Sequence, residues 1–279
     1  MANVFITGTS SGIGEDAALR LDRLGHRVFA GVRRSADGEA LAAGASGRLT
    51  PVLCDVADGA SVGAAVRLID EAVGSDGLQG LVNNAGVARA GPLEHLPIDE
   101  WRSQFEVNVI GQVAVTKAAL PLIRRGQGRI CFVGSVSGRL ASPLMGPYAG
   151  SKFAIEGIAQ ALREELRPWD IAVSVVEPGP IKTPIWDKGR SYAAEMEERL
   201  GPEAMDRYRD QIEAAVKGID TNERIGAPTS RTSDAIEHAL LAPRPKHRYL
   251  VGAPARVVGP LTRFLPDKAL GRVMRLLGP

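Results

Sequence analysis

The sequence predicts an α/β protein built on one doubly wound parallel sheet, and three features of its patterning support that fold class. Short runs rich in Val, Ile and Leu alternate with helix-length amphipathic segments through most of residues 1–180. Nearly continuous apolar runs of this kind are typical of strands that are buried on both faces. A glycine-rich stretch joins the first run to the first helical segment, and a charged insertion interrupts the alternation only after residue 183. We therefore expect a single domain over residues 1–279, with about seven strands and with helices on both faces.

The individual elements follow in chain order from these two periodicities. Six apolar runs predict strands, at Asn3–Thr7, Val28–Val32, Pro51–Cys54, Leu78–Val82, Arg129–Val133 and Ala172–Val176. Apolar residues at helical spacing predict helices between them, at Gly14–Leu24, Ser61–Val73, Glu100–Leu122 and Tyr148–Leu166. A seventh run, Tyr249–Val251, comes much later and is expected to close one edge of the sheet.

Residues 184–230, called here the lid segment, are charged and helical in pattern and contain few strand formers. Long insertions near the carboxyl ends of parallel strands commonly cover the ligand crevice, so we interpret this segment as a substrate lid. The alternative is a surface excursion that contacts no ligand. Apolar and aromatic residues of the segment, together with the stretch Arg139–Pro147, favour an apolar substrate, although a helix docked on the core has the same pattern; they are Ile185, Trp186, Tyr192, Met196 and Met205.

Residues 255–279 are predicted to form a C-terminal helical tail. The tail alternates apolar and basic residues, and its apolar members include Phe264, Leu265, Val273 and Leu277. We favour docking of this tail on the subunit or on an oligomer partner, with a membrane-surface helix as the alternative.

The composition excludes several classes of function. A net charge of +2 suggests no nucleic-acid footprint, and no uncharged apolar stretch reaches the about 18 residues of a transmembrane helix. Cys54 and Cys131 lie in apolar, strand-like runs, which indicates buried free thiols in a reducing compartment. No basic region precedes the first strand, so we expect no signal peptide and a cytoplasmic protein.

A glycine-rich loop follows the first predicted strand and predicts dinucleotide binding in a Rossmann-type fold. Gly8, Gly12 and Gly14 stand immediately before an amphipathic helix, and Ser10, Ser11 and Ile13 fill the positions between them. Glycines let the backbone approach a pyrophosphate, which then binds the free N–H groups of the helix N-terminus. A tight turn with a purely structural role is the alternative.

The end of the second strand favours NADP over NAD. An NAD-binding unit usually places a carboxylate about 20 residues after the glycines to bind the ribose 2′-hydroxyl, and here that position falls near Val32. Arg33 follows at once, and a guanidinium binds a 2′-phosphate bidentately. NAD remains the second choice, because Arg33 and Arg34 are alternatively a pair of solvated surface charges.

Tyr148 and Lys152 are the predicted acid/base pair. Residues at i and i+4 share one helix face, so the phenol and the ammonium group address the same small volume. A free tyrosine titrates near pH 10, and a nearby lysine cation together with an oxidised nicotinamide would favour the phenolate. Ser135, at the end of the fifth predicted strand, is placed to orient a substrate oxygen, with Ser137 as the competing candidate. Asn108 is a polar residue in an apolar helix and is alternatively a satisfied core amide.

Taken together, these motifs resemble the short-chain dehydrogenase/reductase family, and more closely its hydroxysteroid and retinol dehydrogenase-like branch. The resemblance covers roughly residues 1–185, and in weaker outline extends to Gly252. Its motifs occur in the order Thr7-Gly8-x-x-x-Gly12-Ile13-Gly14, Asp55-Val56, Asn83-Asn84-Ala85-Gly86, Asn108, Ser135, Tyr148-x-x-x-Lys152 and Pro178-Gly179-x-Ile181-x-Thr183.

The resemblance implies a role for each matching position. Tyr148 would be the general acid/base, Lys152 would lower its pKa and hold the nicotinamide ribose, Ser135 would stabilise the reacting oxygen, and Asn108 would anchor a proton-relay water. Asp55 with Val56 would bind the adenine amino group, and Asn84, Ala85 and Gly86 would contact the adenosine-side ribose. Pro178, Gly179, Ile181 and Thr183 would flank the nicotinamide carboxamide. Ser11 departs from the basic residue that some NADP-dependent members carry before Gly12, which leaves Arg33 as the main 2′-phosphate contact.

We therefore expect an NADP(H)-dependent oxidoreductase that acts on a carbonyl or secondary alcohol of a small, apolar substrate. The alternatives are an NAD-dependent alcohol dehydrogenase of the same family, a regulator that senses NADP(H) without turnover, and a methyltransferase that uses the glycine loop for S-adenosylmethionine. The family resemblance also implies a homodimer or homotetramer formed through the helices near residues 100–122 and 148–166. No metal site is predicted.

Overall fold

The computed structural model describes residues 1–266 and 268–270 and contains one seven-stranded sheet. All neighbouring strands are parallel, in the order β3-β2-β1-β4-β5-β6-β7. The strands are β1 (Asn3–Thr7), β2 (Arg27–Val32), β3 (Leu49–Leu53), β4 (Gly80–Asn83), β5 (Arg129–Val133), β6 (Val173–Pro178) and β7 (Arg248–Val251). The strand order reverses between β1 and β4, which opens a crevice at their carboxyl ends where ligands of such sheets bind.

Helices cover both faces of the sheet, so the predicted doubly wound α/β class is confirmed. The helices are α1 (Gly12–Arg23), α2 (Ser35–Ala43), α3 (Gly59–Val73), α4 (Ile98–Phe105), α5 (Gly111–Arg125), α6 (Gly146–Leu166), α7 (Ile185–Arg199), α8 (Pro202–Ile225), α9 (Thr229–Leu241) and α10 (Ala253–Phe264). On one face α3, α5 and α6 bury the core around Phe5, Phe29 and Phe132. On the other face α1, α2 and α9 cover the core around Ile6 and Val28.

Polar contacts fix α1 against α9 although the two helices are far apart in the chain. The Arg20 guanidinium donates to Glu237 at 2.6 Å and pairs with Asp234 at 2.9 Å. Ser233 donates a hydrogen bond to the Asp16 carboxylate. The helix that follows the glycine-rich loop is therefore fastened to the C-terminal third of the chain.

Several predicted boundaries are shifted for local reasons. The sequence predicts that the fourth strand begins at Leu78, but β4 begins at Gly80. The N–H of Leu78 donates to Leu122 O and not to a neighbouring strand. The predicted helix over residues 100–122 is interrupted by a π-helical turn at Glu106–Ile110. Pro51 stands inside β3, which tolerates it because β3 is an edge strand.

The helices α4 and α5 and the π turn between them form a continuous helical stretch, Ile98–Arg125. This stretch is long enough and apolar enough to cross a membrane. Half of its most apolar window is buried inside the fold, where Val115, Ala119 and Ile123 pack in the core. Core helices pass the same test of length and composition.

Both cysteines are buried free thiols, as predicted. The tail predicted at residues 255–279 is helical in α10, while residue 267 and residues 271–279, with Val273 and Leu277, lie outside the described residues.

Candidate active site

The glycine-rich loop leaves β1 in a conformation that only glycine adopts easily. Gly8 and Gly12 have positive φ angles of 68° and 65°. A Cβ atom on Gly14 would lie 2.2 Å from Gly8 O, so the helix packs directly on the loop. Ser11 precedes the first residue of α1, and within the described structure its side chain forms no capping bond. The first N–H groups of α1 are therefore left without a Ser11 cap and remain available to an anion.

Hydrogen bonds of Asn84 and Thr7 fix the conformation of the glycine-rich loop. Asn84 Nδ2 donates to Thr7 O at 3.0 Å and to Gly8 O at 2.8 Å. Thr7 Oγ1 accepts from the backbone N–H groups of Asn84 and Ala85, each at 3.1 Å. The Asn84 amide nitrogen is thus committed to shaping the loop, and the backbone from Ala85 to the exposed Gly86 is what remains to face a ribose.

Arg33 and Arg34 differ in their surroundings. Arg34 binds Asp37 with two guanidinium nitrogens, Nε to Oδ2 at 2.9 Å and Nη2 to Oδ1 at 2.6 Å. Arg33 is exposed directly after β2 and forms no ion pair with any described residue. Of the two guanidinium groups, Arg33 is the one available to an incoming phosphate.

Asp55 and Val56 follow β3 at the same edge of the sheet. Asp55 Oδ1 accepts from the N–H of Ala57 at 3.0 Å, and its own N–H donates to Ser61 Oγ at 2.9 Å. Val56 is buried against Gly111, whose missing side chain lets α5 approach the Val56 backbone. These bonds fix the turn that carries both residues.

The segment after β6 lies against the glycine-rich loop. Gly179 N–H donates to Val251 O at 2.9 Å, and Ile181 forms a parallel bridge with Ala227. A Cβ atom on Gly12 would lie 3.2 Å from Thr183 Cγ2. The structure therefore brings Pro178–Thr183 and the glycine-rich loop together although they are far apart in sequence.

Tyr148, Lys152 and Ser135 converge at the carboxyl end of β5. The Ser135 hydroxyl lies beside the Tyr148 phenol and accepts from the N–H of Ser137 at 3.1 Å. Lys152 Nζ lies 5.7 Å from the Tyr148 ring centroid and donates to Val133 O at 2.8 Å. Ser137, the competing candidate, contributes its backbone to Ser135. The geometry therefore favours Ser135 as the serine that works with Tyr148.

Burial shifts both ionisable groups toward their neutral forms. Desolvation raises the pKa of Tyr148, and the neighbouring Ser135 hydroxyl opposes this rise. Desolvation lowers the pKa of Lys152 to about 8, while the Glu156 carboxylate acts in the opposite direction. The expected lowering of the Tyr148 pKa concerns the complex with an oxidised nicotinamide, so it stays a prediction.

Asn108 lies on the π-helical turn, fully buried, and its side chain grips the loop after β4. Asn108 Oδ1 accepts from Val87 N–H at 2.8 Å, while Nδ2 donates to Val87 O at 2.9 Å and to Ser151 Oγ at 3.2 Å. The side chain of Asn108 is therefore a buried amide whose hydrogen bonds are satisfied, which is the alternative interpretation of its sequence position. Ser151, which sequence reasoning missed, links it to the backbone carbonyl of Tyr148 at 2.7 Å.

The lid segment forms α7 and α8, which pack beside the loops after β4 and β5. Met196, Leu200, Ala204 and Ile212 form an apolar cluster that also contacts Leu144. Two carboxylates of the loop and α4 region bind the lid: Glu94 accepts from Tyr208 OH at 2.7 Å, and Glu100 pairs with Arg199 at 3.3 Å. A cavity of about 110 Å³ lies between the loop after β4 and α7, and its lining includes Gly91, Leu96 and Met196.

No group of three or more His, Cys, Asp or Glu side chains is arranged to hold a metal ion within the described part of the chain. The polar groups that meet at the carboxyl end of β5 are the Tyr148 phenol, the Ser135 hydroxyl and the Lys152 ammonium group.

Comparison with known proteins places this geometry in context. A family model described as short chain dehydrogenase matches residues 2–193. The NADPH-dependent 3-dehydrocapnine reductase of Ornithobacterium rhinotracheale is 36% identical over 279 residues, covering 98% of this chain and 96% of that protein. The 17-beta-hydroxysteroid dehydrogenase type 6 of Bos taurus is 36% identical over 274 residues, covering 94% and 84%.

Two solved structures resemble the fold over nearly its whole length. A short chain dehydrogenase from Burkholderia cenocepacia J2315 in complex with NADP has a TM-score of 0.74 at 25% identity, covering 100% of this chain and 98% of that one. A short chain dehydrogenase/reductase from Burkholderia phymatum in complex with NAD has a TM-score of 0.76 at 25% identity, covering 94% and 92%.

Proposed function

Because the chain belongs to the short-chain dehydrogenase/reductase family of oxidoreductases, we propose that it transfers a hydride between NADP(H) and a carbonyl or secondary-alcohol carbon, with Tyr148 as the acid/base. The observation that carries this proposal is the convergence of the Ser135 hydroxyl, the Tyr148 phenol and the Lys152 ammonium group, with Lys152 Nζ 5.7 Å from the Tyr148 ring centroid. A binding protein that only senses the cofactor needs no such constellation.

The residues present fit a dinucleotide. Side chains at Gly8 and Gly14 would collide with the surrounding backbone, so these positions keep the loop close to the helix N-terminus, where a pyrophosphate binds. Thr183 lies against Gly12 and would flank the nicotinamide side of the crevice. Asp55 and the backbone near Ala85 would hold the adenosine half.

When bound, NADPH supplies the hydride that reduces the carbonyl carbon. Tyr148 would donate its phenolic proton to the carbonyl oxygen, and in the oxidative direction its phenolate would take the alcohol proton. The Ser135 hydroxyl would hold the same oxygen in place. Lys152, in its protonated form, would stabilise the phenolate and bind the ribose. Asn108 would act by fixing the loop at Val87 and, through Ser151, the helix that carries Tyr148.

The preference for NADP rests on Arg33 and on the relative that is named as NADPH-dependent. Arg33 is exposed and free of ion pairs with the described residues, whereas a 2′-hydroxyl would need the carboxylate that is missing near Val32. Because relatives of similar likeness bind NADP in one case and NAD in another, NAD remains the alternative.

We propose an apolar substrate that enters beneath the lid segment. The apolar cluster around Met196 and Leu200 faces the loop of Gly91 and Leu96, and Leu144 from the loop before Tyr148 joins it. This arrangement supports the lid function, because the cluster joins the segments that follow β4, β5 and β6 on the catalytic side of the sheet.

We also propose a homodimer or homotetramer. Ile110, Val113 and Phe153 are exposed apolar residues on the π turn, α5 and α6, elements that pack beside one another. Light scattering tests this proposal, and a monomeric mass at micromolar concentration would contradict it. A cytoplasmic location is proposed from the two buried free thiols, and cell fractionation tests it.

The cofactor preference is tested by a parallel fluorescence titration of the purified protein with NADPH and NADH. We expect NADPH to bind at least about tenfold more tightly, because a charge-assisted bidentate contact is lost with NADH. The preference should disappear in Arg33→Ala and remain in Arg34→Ala, the matched control whose guanidinium is held by Asp37. Equal binding of NADH, or an Arg33→Ala variant that keeps the preference, would overturn the assignment of Arg33.

A further inference from the structure

A charge cluster with two buried carboxylates lies beside the catalytic residues and is formed by Arg139, Glu156, Glu177 and Arg248. Glu177 is fully buried and accepts from Arg139 through both of its carboxylate oxygens. Arg248 binds Glu156 Oε2 with Nε at 3.1 Å and Nη2 at 2.9 Å, and it lies 3.5 Å from Glu177. The four side chains therefore form one continuous network.

Three members of the cluster lie close in sequence to segments of the site, and the fourth, Arg248, lies on the edge strand β7. Arg139 follows the 3-10 turn that begins after Ser135, and Glu177 immediately precedes the Pro178 segment. Glu156 stands one helical turn after Lys152 on α6, and Arg248 lies on β7. A buried ion network costs desolvation free energy and is weak evidence for stability. The position of the network beside Ser135 and Lys152 points to a role in the reaction.

Glu156 is bound asymmetrically, which leaves part of its charge directed toward the site. Both nitrogens of Arg248 address Oε2, while Oε1 is buried and has no hydrogen-bond partner. Oε1 points to Gly134, the residue before Ser135, where a Cβ atom would lie 3.4 Å from it. The uncompensated oxygen thus lies at the same end of β5 as the Lys152 ammonium group, which binds Val133 O.

Other titratable and charged groups also surround the part of α6 that carries Lys152 and Glu156. On α6, Tyr148 and Arg163 flank the pair, and Arg163 donates to Val173 O at 3.0 Å. From the 3-10 turn, β6 and β7, the facing charges are Arg139, Glu177 and Arg248. Of all of these, the charge that acts on Lys152 and raises its pKa against burial is Glu156.

We propose that Glu156 is a positioning residue for the acid/base reaction: its buried carboxylate, moderated by Arg248, keeps Lys152 protonated at the working pH. This inference rests on the proposed function of Lys152, but it concerns the charge state of one side chain and is measurable without cofactor or substrate. Lys152 in its ammonium form is what a Tyr148 phenolate requires, so the cluster extends the pH range in which the pair works.

The test is an NMR titration of the full chain carrying isotope-labelled lysine, with the signal of Lys152 among the seven lysines assigned from Lys152→Met. We expect Glu156→Gln to lower the pKa of Lys152 by about one pH unit, since a carboxylate one turn away acts through partly desolvated space. Glu156→Asp should restore most of the shift. Glu164→Gln, an exposed carboxylate on the same helix, is the matched control and should leave Lys152 unchanged.

Arg248→Gln gives an independent test of opposite sign. Removal of this partly exposed arginine leaves the Glu156 charge unmoderated, so the pKa of Lys152 should rise. A purely structural network would lower stability in both variants and move the Lys152 titration in neither. A shift in Glu156→Gln no larger than in Glu164→Gln, or shifts of the same sign in Glu156→Gln and Arg248→Gln, would overturn the proposal. Failure of the proposed hydride transfer would appear separately, in the steady-state kinetics of the wild type and of Tyr148→Phe.

Discussion

Asn108 holds both backbone groups of Val87, accepting from its N–H at 2.8 Å and donating to its carbonyl at 2.9 Å. Asn108→Ala leaves the partly buried Val87 N–H without this acceptor, while the Val87 carbonyl still accepts from Gln104 Nε2 at 2.8 Å, so we expect a loss of about 1–3 kcal/mol in the free energy of unfolding. Turnover should fall as well, because the loop and α6 lose their common anchor. Chemical denaturation measures the first effect, and Asn108→Asp, which keeps the acceptor, should be intermediate. An unchanged free energy of unfolding in the alanine variant would show that the hydrogen bonds between Asn108 and Val87 do not stabilise the fold.

Tyr148→Phe should abolish most of the turnover while leaving the cofactor site intact. Loss of the general acid/base lowers kcat by about 10²–10⁴-fold, and loss of the Ser135 contact costs roughly 1 kcal/mol of stability. Steady-state kinetics and NADPH titration give the two readouts. Tyr249→Phe is a matched control, since that hydroxyl bonds His238 and the Lys246 N–H away from the site. A phenylalanine variant with full biological function would favour a sensor that does not turn over the cofactor.

Lys152→Met should stabilise the fold while inactivating the enzyme. The pKa of Lys152 is lowered from 10.5 to about 8, so the folded protein binds this proton less tightly than the unfolded chain does. Between about pH 8 and 10.5 the unfolded state therefore holds more protons, and this group makes stability rise with pH. At pH 7 the lysine bears its full desolvation cost, and we expect the methionine variant to be more stable by about 2 kcal/mol after loss of the bond to Val133.

Thermal denaturation from pH 7 to pH 10.5 checks this expectation. The advantage of Lys152→Met should be largest at pH 7 and should shrink as the pH approaches 10.5. A variant less stable than the wild type at pH 7 would mean that the hydrogen bond to Val133 outweighs the burial of the charge.

Gly14→Ala should damage cofactor binding more than its small size suggests. The added Cβ would lie 2.2 Å from Gly8 O and 2.4 Å from Asn84 Nδ2, so the loop must move away from the helix N-terminus. We expect NADPH affinity to fall by about 10²-fold or more, corresponding to about 3 kcal/mol. Gly63→Ala in α3 is the control: its Cβ meets only the end of the Arg67 side chain, at 3.4 Å, and it should leave binding unchanged. Comparable loss in both variants would point to general destabilisation.

The two thiols should resist modification in the native protein. Burial raises the pKa of Cys54 to about 11 and of Cys131 to about 12, so at neutral pH almost no thiolate exists. We expect reaction with a disulfide reagent to be at least about 100-fold slower in the native state than after denaturation. Rapid labelling of either cysteine without loss of structure would contradict the described packing.

The sheet was accessible to sequence reasoning because its strands are buried on both faces. The bounds of β1 and β5 are as predicted, and the family is confirmed by the match over residues 2–193. What the pattern missed depends on geometry that no local window contains. The π turn that positions Asn108 interrupts an otherwise regular helical pattern, and α2 at Ser35–Ala43 lacks a clear amphipathic stripe.

The site was only partly accessible for the same reason. The spacing of Tyr148 and Lys152 is local and therefore readable. The roles of Asn84 and Asn108 as holders of backbone groups follow only from contacts across 76 and 21 residues. The charge cluster behind Lys152 joins residues up to 92 positions apart, and nothing in the sequence around Glu156 marks it.

The fastening of α1 to α9 has a consequence for how the protein is made. Arg20 and Glu237 are 217 residues apart, and the segment matched by the family ends at residue 193, before α9 begins. At about 5–20 residues per second, a ribosome needs roughly 10–50 s to deliver the partner of the first helix. During that time the part of the sheet face that α9 covers stays exposed. Residues 1–193 alone would therefore expose the apolar surface that α9 covers, and the fold is complete only after the C-terminal third of the chain has emerged.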